Sequence, residues 1–287
     1  MPAAAAALWE SQSLEDHISK RNFEKLARFI YDYSGIKMPP SKMTMLEGRL
    51  RRRLRATGIS SFDAYCDYLF EQGGLETERT YLIDAVTTNK TDFFREPRHF
   101  DYMREVALPT LAARGIKRLR TWSSACSTGA EPYTMAMVLQ TFVEQEGGMD
   151  YSILATDLST DVLATAHRGI FNEELVTPVP PEMRRRWVMN PVNASRREVR
   201  ISPALRAKIG FARLNLMDLS YGVGDPMDII FCRNVLIYFD KATQIGVLKR
   251  LCDNLKSGGY LFIGHSETLT GVDIPVTQVA NTVFRKT

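Results

Sequence analysis

The residues best placed to do chemistry each follow an apolar run that reads as a strand. After Lys117–Trp122 comes SSACSTGAEPY, a run of small residues that lets a ligand approach the backbone. Ser127 or Thr128 can cap the following helix, and Pro132 suits its first turn. The loop lacks the G-x-G-x-x-G glycines over which a dinucleotide passes its pyrophosphate. It presents Glu131 instead, an anion that either complements the helix dipole or repels phosphate and attracts a cation. After Tyr151–Thr156 comes Asp157, whose carboxylate suits a pair of ribose hydroxyls or caps the helix near Ser159.

Two further loops complete the set. Asn215-Leu216-Met217-Asp218 offers an amide and an apolar neighbour, which suit the edge and face of an adenine. In Cys232-Arg233-Asn234-Val235-Leu236-Ile237-Tyr238-Phe239, Asn234 is a polar residue among apolar ones. Its burial demands a partner, either a ligand or its own backbone. Together the loops describe a site for an adenosine-type ligand without phosphates and with a positive charge. S-adenosylmethionine, with its ribose, adenine, sulfonium and amino acid, is such a molecule.

Loops of this kind need a rigid frame. From Ile116 onward the chain alternates strands with helices: Lys117–Trp122, Tyr151–Thr156, Met227–Cys232 and Tyr260–Ile263 as strands, and Pro132–Glu144, Ser159–Arg168 and Lys241–Leu255 as helices. This rhythm predicts a mostly parallel sheet covered on both faces, which binds ligands beyond the carboxyl ends of its strands. A Gly258-Gly259 turn precedes the last of these strands, and Thr277–Arg285 can add a terminal antiparallel one. The stretch from Phe171 to about Leu216 breaks the rhythm with five prolines and a basic segment, Met183–Arg200. Its short alternating runs, Glu198–Ile201 and Lys208–Ala212, predict a small antiparallel insertion.

The N-terminal part differs. Residues 1–12 read as an Ala-rich tail. From Ser13 to about Asp84 the periodicity is helical: Leu26, Ile30 and Tyr33 share one face, then Leu46, Leu50 and Leu54, then Phe62, Tyr65, Tyr68 and Leu69. Residues 86–97 form a linker or functional loop, and a helix runs from about Pro97 to Arg114.

Composition sets the limits. A chain of 287 residues with 45% apolar and 24% charged residues can bury a sizeable core. Four cysteines and four histidines are scattered without ligand spacing, so reduced thiols and no metal are expected. The start, MPAAAAALWESQ, has no secretory pattern, and the apolar stretch Ile229–Phe239 is too short and too polar to span a bilayer. A cytoplasmic location follows as the expectation. A net charge of +4 favours an anionic partner.

Five stretches resemble the chemotaxis receptor methyltransferase family, the protein-glutamate O-methyltransferases: TTNKTDFFRE at 87–96, WSSACSTGAEPYT at 122–134, ATDLSTDVLATAHRGIF at 155–171, FCRNVLIYFD at 231–240 and LKSGGYLFIGHSE at 255–267. The resemblance implies a class I, Rossmann-like α/β methyltransferase sheet with a small antiparallel β-subdomain inserted at about 172–214, preceded by an all-helical N-terminal domain. The corresponding limits are 1–85 for the helical domain, 86–115 for the linker and its helix, and 116–287 for the methyltransferase domain. It further implies that Asn89, Thr91, Arg95, Glu131, Asp157, Asn215, Leu216, Asn234 and Val235 surround S-adenosylmethionine, and that Arg95 and Tyr238 lie beside the transferred methyl. Ala130 stands where many relatives carry a second acid.

The implied acceptor is a glutamate side chain of a bacterial chemoreceptor. Its carboxylate is ionised at neutral pH, so no general base is required. Residues 46–55, LEGRLRRRLR, place Arg49, Arg51, Arg52, Arg53 and Arg55 opposite a leucine stripe. Such a run is a solvated face or a docking surface, and the resemblance points to acidic receptor helices as its partner. The basic insertion, with Arg184, Arg185, Arg186, Arg196, Arg197 and Arg200, is a second candidate, because some relatives add a receptor's C-terminal peptide there as a β-strand. The alternative is an RNA methyltransferase that grips phosphates with the arginine helix. The chain lacks an Asn/Asp-Pro-Pro-aromatic sequence, however, and Cys232 follows Phe231 rather than a proline.

Overall fold

The computed structural model describes residues 16–193 and 195–287 and divides the chain into two compact units at Thr88 and Asn89. The expected tail over residues 1–12 and the expected helix start at Ser13 lie outside the described residues.

The first unit is helical. Helices α1 (Lys20–Ser34), α2 (Met43–Thr57), α3 (Phe62–Glu71) and α4 (Leu75–Val86) bury Leu26, Ile30, Leu46, Leu50, Leu54, Phe62, Tyr65 and Leu69, at the spacings noted above. The Ser19 and Ser61 hydroxyls accept from Asn22 N and Ala64 N and cap α1 and α3.

The second unit opens with α5 (Pro97–Tyr102), which passes through a π-turn at Met103–Ala107 into α6 (Leu108–Ala113). Pro109 explains the widened turn: its ring lacks an N–H and would press on a preceding carbonyl. A seven-stranded sheet follows, in the order β6-β2-β1-β7-β8-β10-β9. Its strands are β1 (Arg118–Ser123), β2 (Asp150–Asp157), β6 (Ile209–Arg213), β7 (Met227–Cys232), β8 (Leu255–Ile263), β9 (Val276–Ala280) and β10 (Val283–Lys286). The first five are parallel, and β10 runs antiparallel to both neighbours. Helices α7 (Ala130–Glu146) and α8 (Thr160–Arg168) follow β1 and β2, and Lys241–Asp253 forms a further helix between β7 and β8.

One face of the sheet buries Phe100, Tyr133, Phe231 and Phe262, and the other buries Trp122, Ile230, Leu248 and Leu261. All six residues of β7 are buried, as a central parallel strand covered on both faces requires. Strand order reverses between β1 and β7, so the crevice lies beyond their carboxyl ends.

A second, three-stranded antiparallel sheet has the order β3-β5-β4, with β3 (Ile170–Asn172), β4 (Val188–Met189) and β5 (Glu198–Ile201). Between them lies α9 (Pro181–Trp187), and Pro203–Arg206 forms the short α10. Lys208–Ala212, expected within this insertion, instead forms β6 at the edge of the large sheet, paired in parallel with β2. Alternation marks a strand but not the sheet it joins. The Gly258-Gly259 turn is absorbed into β8 as an irregularity opposite β7, with Gly258 at φ 72°. The single terminal strand expected over Thr277–Arg285 is a hairpin, β9 and β10, turned at Asn281-Thr282. Numbered in chain order, the helix over Lys241–Asp253 is α11.

Candidate active site

The loops after β1, β2, β6 and β7 meet at the strand tips, and residues 89–96 join them. Phe94, Glu96, Ser127, Asn234 and Thr282 are the non-glycine residues with positive φ among the described residues. The first four lie in these loops, and Thr282 bonds to His99 in the helix that continues from residues 89–96. Such conformations are costly for residues with side chains and persist only where their surroundings impose them.

After β1, Ser127 (φ 49°) donates its N–H to Asp157 Oδ2 at 2.8 Å and its hydroxyl to the Asn89 carbonyl at 2.8 Å. Gly129 (φ 97°) lets the loop pass close to α8, since a Cβ there would sit 2.9 Å from Ala166 Cβ. At Gly129 the small residue serves a close approach of the loop to a neighbouring helix.

Asp157 ends β2. Its Oδ1 accepts from Ser159 N at 3.0 Å, while Oδ2 takes the Ser127 N–H. The two backbone donors fix one orientation, and a carboxylate has acceptor positions beyond two. The capping reading is the one seen: Asp157 braces the start of α8, as a half-buried acid at a strand tip.

Glu131 departs from the simple picture of an anion offered to a ligand. It is buried, with Oε1 accepting from Ser123 Oγ at 2.7 Å and Oε2 from Arg233 Nε at 2.8 Å. Arg233 is buried too. It donates Nη1 and Nη2 to the Arg95 carbonyl at 2.9 and 2.8 Å, and Nη1 also meets His99 Nδ1 at 2.9 Å. Glu96 stands on the far side, 3.5 Å from Arg233 Nη1. Burial pushes the Glu96 carboxyl up, but the Asn234 amide, the Arg233 guanidinium and the His265 N–H outweigh it and hold it below its ordinary range.

Asn234 does not close on its own backbone. Its Nδ2 donates to Glu96 Oε1 at 3.0 Å, and its N–H goes to Glu267 Oε2 at 3.1 Å. Glu267 also accepts from Gly264 N at 2.6 Å and Leu236 N at 2.8 Å, which pins the turn carrying Asn234 and Val235. Burial raises the Glu267 carboxyl, and these backbone donors only partly counter it.

Leu216 is buried, and its carbonyl accepts from Tyr221 OH at 2.8 Å and Arg250 Nη2 at 2.9 Å. Asn215 Oδ1 accepts from Met217 N at 3.0 Å. Arg95 Nη1 donates to the Lys90 carbonyl at 3.0 Å. Asn89, Thr91, Val235 and Tyr238 are half-buried in the same loops.

The histidines, scattered in the sequence, partly converge: His99 and His265 lie with ring centroids 4.9 Å apart beside Glu96. Their geometry does not favour a cation, because Arg233 already points a charged N–H at His99 Nδ1 and Thr282 Oγ1 lies 2.8 Å from its Nε2. Desolvation, helped by Arg233, lowers the His99 pKa to about 4.

Arg233, Glu96 and Glu267, which tie these loops together, carry little signal in the sequence. Arg233 was visible only as a charge breaking an apolar run, and the two acids sat unweighed in FFRE and GHSE.

The five arginines of α2 divide. Arg53 forms a fork with Glu78 at 3.0 and 2.7 Å, and Arg49 donates to the Val86 and Thr87 carbonyls. Arg51 donates to the Asp16 carbonyl at 3.2 Å and lies over the Phe62 ring. Arg52 and Arg55 are exposed.

Comparison with known proteins agrees with this layout. Residues 21–87 match the family model described as CheR methyltransferase, all-alpha domain, and residues 89–284 match CheR methyltransferase, SAM binding domain. The chain is similar to a probable chemotaxis protein methyltransferase of Rhizobium etli, 36% identical over 84% of this chain and 90% of that one. It is also similar to chemotaxis protein methyltransferases of Borreliella burgdorferi (35%, over 90% and 92%) and Escherichia coli K12 (36%, over 93% and 91%). The two matched models together span nearly all the described residues, and on that ground the chain belongs to the CheR family of S-adenosylmethionine-dependent chemotaxis methyltransferases.

Proposed function

We propose that the protein esterifies glutamate side chains of bacterial chemoreceptors in the cytoplasm, with Arg95 and Tyr238 beside the acceptor. The observation that carries the cofactor side of this reading is the pair of carboxylates, Glu131 and Asp157, fixed at adjacent strand tips where no phosphate-binding glycine turn exists. Asp157 suits the ribose of a nucleoside, and the missing glycine turn disfavours a phosphate-bearing one. Asp157 would hold the ribose, Glu131 would face the amino-acid part, Asn215, Leu216, Asn234 and Val235 would surround the adenine and the methionine moiety, and Asn89, Thr91 and Arg95 would reach the cofactor from the linker. When bound, S-adenosylmethionine supplies an electrophilic methyl on a sulfonium.

The residues of this chain then have a positioning task. A glutamate carboxylate is already anionic at neutral pH and needs no base. Arg95 would orient it through charge-assisted hydrogen bonds, and Tyr238 would supply a wall and a hydroxyl. Alignment of this kind can contribute roughly 7–11 kcal/mol. A cysteine nucleophile of the kind used by cytosine-C5 enzymes finds no support: burial pushes the Cys126 and Cys232 thiols far above their ordinary range. No helix among the described residues is long and apolar enough to cross a membrane.

Acidic receptor helices would dock on the arginine face of α2, chiefly through Arg52 and Arg55. A receptor's C-terminal peptide could add to an edge of the three-stranded sheet. The test is incubation with tritiated methyl donor and receptor cytoplasmic fragments. Label released by mild base as methanol identifies a carboxyl ester, and base-stable label excludes one. Arg95→Ala should reduce transfer strongly while the protein stays folded; normal turnover removes Arg95 from the reaction.

A further inference from the structure

We infer that Arg233 is the positioning residue of this site, holding the Arg95 main chain and the Glu131 carboxylate with one guanidinium. The inference deepens the functional reading above and rests on it. The Arg233 side chain is 2% exposed and lies over the rings of Phe100 and Phe231, 5.2 and 5.4 Å from their centroids. These rings stack on each other at 5.6 Å and 22°, so the guanidinium rests on a rigid aromatic floor.

Its donors are divided between elements far apart in sequence. Nε serves Glu131 at the start of α7, and both Nη atoms converge on the carbonyl of Arg95. Two donors on one carbonyl fix the direction of that peptide and not merely its distance. The residues on either side, Phe94 and Glu96, have φ of 52° and 57°. A segment held in two such conformations relaxes when its clamp is removed, and the Arg95 guanidinium moves with it.

The charge balance follows the same geometry. Glu131 and Glu96 both face Arg233, at 2.8 and 3.5 Å, so two carboxylates share one cation. Arg233 itself is enclosed and aimed at protein groups, so it acts through Arg95 and Glu131 and not on the reacting atoms. Lysine would keep the charge but lose the planar fork, which is why the two are not interchangeable here.

The test compares the full-length wild type with Arg233→Lys and Arg233→Ala. Hydrogen exchange without ligand should rise about tenfold or more in peptides covering residues 89–100 of the Lys variant, while α11 keeps its protection. Its kcat should fall about 10- to 100-fold, and the Kd for S-adenosylhomocysteine should rise by a smaller factor, because Glu131 loses its partner. Guanidinium at about 10 mM should recover part of the kcat of the Ala variant, where sodium chloride at equal ionic strength does not. If the Ala variant does not fold, the Lys variant decides. An Arg233→Lys protein with wild-type exchange in residues 89–100, or with altered exchange but unchanged kcat, overturns the inference. A wild type that transfers no methyl to receptor glutamates defeats the functional reading instead, and the exchange measurement still decides whether Arg233 clamps the segment.

Discussion

The Glu267 carboxylate accepts the backbone N–H of Asn234 at 3.1 Å and, through its other oxygen, that of Leu236 at 2.8 Å. The turn after β7 is thus held by an acid from the loop that follows β8, and Asn234 is kept at φ 58°. Glu267→Ala leaves at least three backbone N–H groups without their acceptor, in a place where Glu267 itself is 7% exposed. A loss of about 3–5 kcal/mol is expected in urea unfolding, with a smaller loss for Glu267→Gln, which keeps one acceptor. A loss below about 1 kcal/mol for the alanine variant would show that the turn stands without this staple.

Asp157 is held by Ser127 and Ser159 in one orientation. Asp157→Ala should weaken S-adenosylhomocysteine binding about 10- to 100-fold in calorimetry, the effect of losing charge-assisted bonds to two hydroxyls. Unchanged affinity would end its assignment to the ribose.

His99 makes stability depend on pH. Its folded pKa is about 4, below the ordinary 6.5, because it is buried beside Arg233. Below pH 6.5 the unfolded chain gains a proton that the folded chain refuses, so stability present above pH 6.5 is lost as pH falls toward 4. The loss at pH 5 is about 2 kcal/mol. Arg233, Glu96, His265 and Thr282 face the ring, and Glu96, held below its ordinary range, titrates lower. Urea midpoints at pH 7.5 and pH 5 should differ more in the wild type than in His99→Gln; equal differences would acquit His99.

The arginines of α2 should separate by experiment. Arg53→Ala exposes the buried acid Glu78, whose side chain is 7% exposed, and should cost about 3 kcal/mol of stability. Arg52→Glu with Arg55→Glu should leave stability within about 0.5 kcal/mol. The same pair should raise KM for receptor fragments about tenfold at low salt, and less at high salt. If the paired charge reversal leaves KM alone, the helix is a solvated face.

Much of this protein was legible in its residues one after another. Strand and helix identity follow from local periodicity, so Met227–Cys232 and the leucine stripe of α2 could be read directly. The small-residue loop and Asp157 stood out as candidates because a run of small residues and an acid at a strand end are local properties. What tertiary structure alone decided was pairing across distance. Glu131 meets Arg233 across 102 residues, and His99 meets Thr282 across 183. Lys208–Ala212 chose the large sheet over the insertion. Of five neighbouring arginines, Arg53 turned inward to an acid 25 residues away. A charge in a chain states what it can bind, but burial and the fold's long-range closures choose the partner.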